Sequence, residues 1–391
     1  MSRIAVTFNA GSSSLKIGVF EIGAGGAVRP LARGAATVDK KSRLDYEIAG
    51  EPHDADLPDI QEVGPALIAE VLSRLLPQGS APTVVGHRIV HGGLAFTGPV
   101  FLDLDIQAQI EELVPLASLH LPPALKVIRA VRATYADVAQ TASFDTAFHT
   151  SLYRLAARFA IPREMHEAGI RRYGFHGLSY KSVSEKLKKI APDVGSGRVV
   201  CAHLGSGASL CGMVDGVSID TSMGFSTLDG VPMATRPGSI DAGALIHLLR
   251  NEFHDADRLE DFLYHRCGLL GVSGVSGDVR VLVDDFHPAA REALDLFCFK
   301  IAGEIGRLTV SLGGVDAIVF TAGIGEHQPE VRKGVARHLA WMGLDLSESA
   351  NKANATVISA RDSAITAFVI PTDEEQVIAD EALAVIGRHG L

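Results

Sequence analysis

A chain of 391 residues that is 47% hydrophobic and 21% charged can bury two ordinary cores, and its length points to two domains. Lys and Arg number 36 against 46 Asp and Glu, a formal net charge of −10 that excludes a general polyanion-binding surface and makes nucleic acid a poor partner. The four cysteines, Cys201, Cys211, Cys267 and Cys298, form no Cys-x-x-Cys pair and no zinc spacing with histidine, and read as buried thiols of a cytoplasmic protein.

The chain opens on a strand-like run at 4–8 with no basic leader, and no apolar run approaches ~18 residues, so secretion and membrane spanning are disfavoured. Small polar residues at 9–14 (Asn-Ala-Gly-Ser-Ser-Ser) then lead into an apolar run at 15–20, which predicts a hairpin. Helical periodicity follows at 62–76 and 125–136, with a short strand at 83–86. A second strand–turn–strand unit occupies 199–204, 205–209 and 210–214. Aligning Gly11 with Gly205 also superposes Ser12 on Ser206 and Gly18 on Gly212, so the two halves are expected to share one architecture. A strand at 315–320 runs into the glycine turn 321–326 and a helix at 329–339, an arrangement suited to phosphate or nucleotide.

Strands alternating with helices give an α/β class. The boundary is placed near the segment 144–149, and the helix after Thr372 is expected to return to the first domain. The expected domains are 1–148 with 373–391, and 149–372.

Phosphoryl transfer requires backbone amides and hydroxyls around phosphate oxygens, cations, a carboxylate-held divalent metal and in-line geometry. Three turns, 9–14, 205–209 and 323–325, supply small residues, although any hairpin tip needs those. No P-loop and no dinucleotide fingerprint is present. Three loops set Arg or His beside glycine: 86–93 (Gly-His-Arg-Ile-Val-His-Gly-Gly), 171–177 (Arg-Arg-Tyr-Gly-Phe-His-Gly) and 233–238 (Met-Ala-Thr-Arg-Pro-Gly). Taken singly, such residues are more often structural.

Taken together, the segments 9–16, 86–93, 144–149, 172–177 and 320–326, in that order, resemble the signatures of the acetate kinase family over essentially the whole chain. That resemblance implies a two-domain duplicated actin-like ATPase (ribonuclease H-like) fold with its active site in the interdomain cleft. It also implies direct transfer of the γ-phosphoryl group of ATP to acetate, with Mg²⁺ or Mn²⁺, by a homodimer. By the same resemblance Arg88 serves the carboxylate, Arg236 the transferring phosphoryl group and His176 its equatorial oxygens, with Asp145 as a further catalytic carboxylate. Asn9 and Glu374 are implied at the metal. Lys16, Ser12, Ser14, His203, Gly205, Ser206, Gly207, Asp278, Val279, Arg280, Gly323, Ile324, Gly325 and His327 are implied at the nucleotide.

Val90, Leu119, Phe175 and Thr227 are implied at the alkyl end of the substrate, with Thr227 standing where the family usually has proline. Structural roles are available for two members of the set: Asp145 as a helix cap, and Asp373-Glu374-Glu375 as complements of a helix dipole. Three other activities compete with the acetate reading. They are a kinase preferring propionate or butyrate, a pyrophosphate-dependent variant, and a nucleotide-sensing hinge protein without turnover.

Overall fold

Alternation of apolar residues builds the first sheet. In β1 (Arg3–Ala10), Ile4, Val6 and Phe8 enter one core and Ala5 enters another, all of them buried. The computed structural model describes residues 3–11, 14–38, 42–57, 60 and 62–390. The chain divides into two compact units, Met1–Phe148 with Asp373–Leu391, and His149–Thr372.

The first unit holds β1, β2 (Ser14–Ile22), β3 (Val28–Thr37), β4 (Arg43–Ile48), β5 (Glu51–Asp56), β6 (Val84–Ile89), β7 (Val100–Phe101) and β8 (Ala139–Phe144). They form one sheet in the order β5-β4-β3-β2-β1-β6-β8-β7, with β1, β6 and β8 parallel. Helices Pro65–Leu75 and Leu121–Thr134 cover one face through Leu67, Ile68, Val71, Leu72, Val127 and Val131. The helix Glu374–Arg388 covers the other through Ala379, Ala382 and Ile386. Gly86 permits its close approach: a Cβ there would lie 2.6 Å from Cγ2 of Ile378.

The second unit holds β9 (Arg198–Leu204), β10 (Ala208–Val214), β11 (Val217–Thr221), β12 (Ala317–Thr321) and β13 (Thr366–Val369). Their order is β11-β10-β9-β12-β13, with β9, β12 and β13 parallel. This repeats β3-β2-β1-β6-β8 strand for strand, an antiparallel meander continued by two parallel strands. The duplication suggested by the glycine hairpins is therefore one of topology. The pairing register differs by one residue: Gly18 faces Thr7, whereas Gly212 faces Val200 rather than Cys201.

Several local expectations shift. The first long helix begins at Pro65, capped by Gly64, and the next at Leu121, because prolines at 65, 122 and 123 fit a first helical turn. The segment 321–326 is not an open turn but enters the short helix Ala322–His327. Cys201, Cys211 and Cys298 are buried, but Cys267 is only partly so. No described helix is long and apolar enough to cross a membrane.

Two histidines are sealed inside these cores. Burial lowers His87, on β6, from 6.5 to about 4, and lowers His149 likewise to about 4. Their folded pKa values lie below the unfolded one, so the stability tied to their neutral forms is present above pH 6.5 and is lost as pH falls towards 4. Differential scanning fluorimetry from pH 7 to pH 4.5 is expected to show a falling melting temperature, and His87→Gln, which can still bond Gln140, a shallower fall. An identical slope in the variant would refute the contribution of His87.

Candidate functional site

The first unit gathers a charged network at the ends of β1, β6 and β8. Arg88 on β6 meets Asp145, the first residue past β8, in a bidentate pair: Nε donates to Oδ1 at 3.0 Å and Nη2 to Oδ2 at 2.6 Å. The Nη1 group donates to Oδ1 of Asn9 at 2.9 Å. Asn9 in turn donates from Nδ2 to Glu374 at 2.9 Å and Glu375 at 3.3 Å. Asp145 is fully buried, and although burial alone lowers the Arg88 pKa, the charges of Asp145 and Glu374 raise it above its ordinary value.

Arginine carries five N–H donors. Three are engaged here, so one on each terminal nitrogen of Arg88 is left for a further acceptor. Asp145 therefore orients Arg88 and opens a short 3₁₀ turn, Asp145–His149. Asp373 caps the final helix by accepting from Gln376 and pairs with Arg33, while Glu374 and Glu375 lie in its first turn. The dipole role and a place beside Asn9 thus coincide.

Lys16 lies on β2 as the register partner of Asn9, so both stand on the strands rather than in the turn. Ser14 opens β2 and its carbonyl closes the tip by accepting from Gly11 at 2.7 Å. Ser12 lies outside the described residues. Val90 is buried just past β6, and Leu119 is partly exposed ahead of the helix Leu121–Thr134. Among the described residues no three His, Cys, Asp or Glu side chains form a metal cage.

The second unit assembles a second set around the tip Gly205-Ser206-Gly207. His176, at φ +57°, is a left-handed non-glycine residue that leads into the helix Gly177–Ile190. Its ring stacks on His203 with centroids 4.1 Å apart, and its Nδ1 meets Ser209 Oγ at 2.8 Å. Arg236 donates to the carbonyl of Thr227 at 2.9 Å. A Cβ on Gly207 would lie 2.8 Å from Arg236 Nη2 and 3.5 Å from His176 Nε2, so both side chains converge on this glycine. Arg236 has no carboxylate partner among the described residues, and burial lowers its pKa.

Register brings a third loop to the same sheet edge, since Thr321 on β12 pairs with His203 on β9. Ala322 follows at φ +63°, and its N–H is held by Glu326 at 2.8 Å. Gly323 and His327 are exposed, Ile324 is half-buried and Gly325 is buried. Asp278 and Arg280 follow Gly277, whose Cβ would lie 2.8 Å from the carbonyl oxygen of Ala234, and the Ala234 N–H donates to the Ser206 carbonyl. Asp278 caps the helix Val279–Asp284 and pairs with Arg280, which holds its carboxyl below the usual range. Val279 is buried. Phe175 and Thr227 are buried in this unit, with the Thr227 hydroxyl 3.4 Å from that of Tyr264.

Three residues escaped sequence reasoning. Arg332, fully buried, donates to the carbonyls of Gly325 and Glu326 and to Asn351 and Asn354 from behind the glycine loop, and burial lowers its pKa to about 10. Arg172 pins the carbonyls of Ser222 and Met223 at 2.7 and 2.9 Å. Ser209 links His176 to the Tyr180 hydroxyl. Arg172 and Ser209 stood inside segments already singled out, 171–177 and 205–209, whereas Arg332 carries no local signal.

A family model described as the acetokinase family matches residues 4–380. An acetate kinase of Nitrobacter hamburgensis is 42% identical over 384 residues, 97% of this chain and 95% of that protein. The crystal structure of Porphyromonas gingivalis acetate kinase gives a TM-score of 0.87 at 32% identity, covering 98% of this chain and 100% of that one. A propionate kinase from Francisella tularensis gives 0.89 at 31% identity, with 98% and 100% covered. The α/β architecture with its repeated strand order is the duplicated actin-like fold of these neighbours, and the chain belongs to the acetokinase family.

Proposed function

We propose that the chain transfers the γ-phosphoryl group of ATP in line to a carboxylate oxygen of acetate, giving acetyl phosphate and ADP. A P–O bond forms to the carboxylate as the bond to ADP breaks, and an ionised carboxylate needs no general base. The observation that carries this reading is Arg236, a half-buried cation with no carboxylate partner among the described residues, set beside His176 at Gly207. An unneutralised arginine at that place suits the charge that develops on a transferring phosphoryl group.

Arg88 plays a different part. Asp145 already offsets its charge and fixes its plane, and the remaining donors on its two terminal nitrogens suit the two oxygens of a carboxylate. Two unit charges at 4 Å repel by about 4 kcal/mol at an effective dielectric of 20, so acceptor and donor anions need cations on both sides of the reacting oxygen. His176 donates towards the equatorial oxygens, and the amides of 205–207 and 323–325, with Lys16, take the phosphates. Asp278, Arg280, Ile324 and His327 serve the adenosine end, and Val90, Leu119, Phe175 and Thr227 the methyl end.

Mg²⁺ or Mn²⁺ fits the carboxylates of Glu374 and Glu375 where they converge on Asn9, an oxygen-rich pair of the kind that holds such an ion through waters and phosphate. The ion would neutralise phosphate oxygens when bound. The Asn9 oxygen is engaged by Arg88, so the glutamates are the better donors. A cytoplasmic location, where ATP is kept and thiols stay reduced, completes the reading, as does a homodimer. Neither a pyrophosphate-dependent variant nor a non-catalytic sensor is favoured, since a sensor has no need of both arginines and His176 together.

Hydroxamate trapping of acyl phosphate from ATP, Mg²⁺ and acetate is expected to give product, and Arg236→Ala to lower kcat by about 10²- to 10³-fold with the fold intact. Undiminished turnover in that variant would remove Arg236 from the reaction. Glu374→Gln should raise the Mg²⁺ concentration needed for half-maximal rate, and an unchanged Mg²⁺ titration would count against its place at the metal. Light scattering should return twice the chain mass, and a single-chain mass at micromolar concentration would reject the dimer.

A further inference from the structure

The reading above uses His176 but leaves His149, the last residue of the motif 144–149, without a task. His149 is 2% exposed, and both of its ring nitrogens are engaged. Its Nε2 lies 3.0 Å from the carbonyl oxygen of Phe175 and its Nδ1 lies 2.8 Å from Ser218 Oγ. A carbonyl only accepts, so Nε2 carries the proton and Nδ1 accepts from the Ser218 hydroxyl. Ser218 then accepts from Cys211, 3.3 Å away, whose thiol stays protonated because burial pushes it up to about 12. Cys211, Ser218 and His149 thus form a chain of donors pointing one way, and it ends on the peptide bond that precedes His176.

That peptide is where control is needed. Left-handed backbone at a non-glycine residue persists only when its surroundings over-determine it, and His176 sits there at φ +57°. The His149 ring also fills the space against Gly174, where a Cβ would lie 2.6 Å from its Cδ2. It meets Tyr180 edge-on at 5.6 Å, and the Tyr180 hydroxyl bonds Ser209, the partner of His176 Nδ1. One ring therefore braces both the backbone of His176 and the group that sets its rotation.

We propose that His149 is a positioning residue that fixes, through the Phe175 carbonyl and Tyr180, the direction in which His176 presents Nε2. The inference rests on the role given to His176 above. His149→Phe keeps the ring but has no N–H, whereas His149→Gln keeps an amide donor. The phenylalanine variant is expected to lose about 10- to 100-fold in kcat, with KM for ATP and acetate within about twofold of the parent, and the glutamine variant to recover most of that loss. Ser218→Ala, which leaves the imidazole in place, should lower kcat in the same direction by less, and carries the test if His149→Phe does not fold.

His176→Ala is measured alone and combined with His149→Phe, and the pair is expected to be no slower than His176→Ala by itself. Full kcat in folded His149→Phe beside an impaired His176→Ala overturns this inference and leaves His176 in place. Full kcat in His176→Ala overturns both readings. A loss confined to KM, or a double variant slower than His176→Ala, makes His149 merely structural and overturns the proposal.

Discussion

Charge compensation at Arg88 governs the first unit. A guanidinium at the end of a central parallel strand is tolerable only because Asp145, wholly out of water, takes two of its N–H groups and Asn9 a third. Breaking such a buried pair by removing one partner typically costs about 3–5 kcal/mol. The pair also dictates its neighbours: Asn9 must turn its amide nitrogen towards Glu374 and Glu375 because its oxygen faces Arg88. The final helix must therefore start beside β1, which Gly86 allows by yielding space to Ile378.

The second unit solves the opposite problem, keeping a cation without a resident anion. Thr227 supplies a neutral carbonyl to Arg236, and Gly207 supplies emptiness. Around that gap stand the His176 and His203 rings in a stack, Ser209 and Tyr180, with left-handed backbone at His176 and Ala322. A second arginine follows the same rule, since Arg332 bonds only to carbonyl and amide oxygens behind the glycine loop. Such preorganised dipoles favour an incoming anion without reorganising.

The helix Pro329–Leu339 and both hairpins were legible because periodicity and small residues at tips are local signals. Arg88 and His176 drew notice only because their motifs stand in a known order. The clasp of Asp145 on Arg88 joins residues 57 apart, and nothing in either segment announces it. Ala322 hid the short helix after β12, because alanine seldom takes φ +63° and no residue type marks that departure. The helix starts at Pro65 and Leu121 differ from the expected 62 and 125 because proline fits a first turn, a boundary that apolar periodicity does not mark.

The bond from Asn9 to Glu374 spans 365 residues, nearly the length of the chain. During synthesis the first sheet emerges well before the helix that covers its second face and brings both glutamates. Until then Ala5, Phe20 and Val84 present an uncovered apolar face. That face is an aggregation hazard until the helix arrives. The same closing event hides that face and completes the acidic cluster beside Asn9.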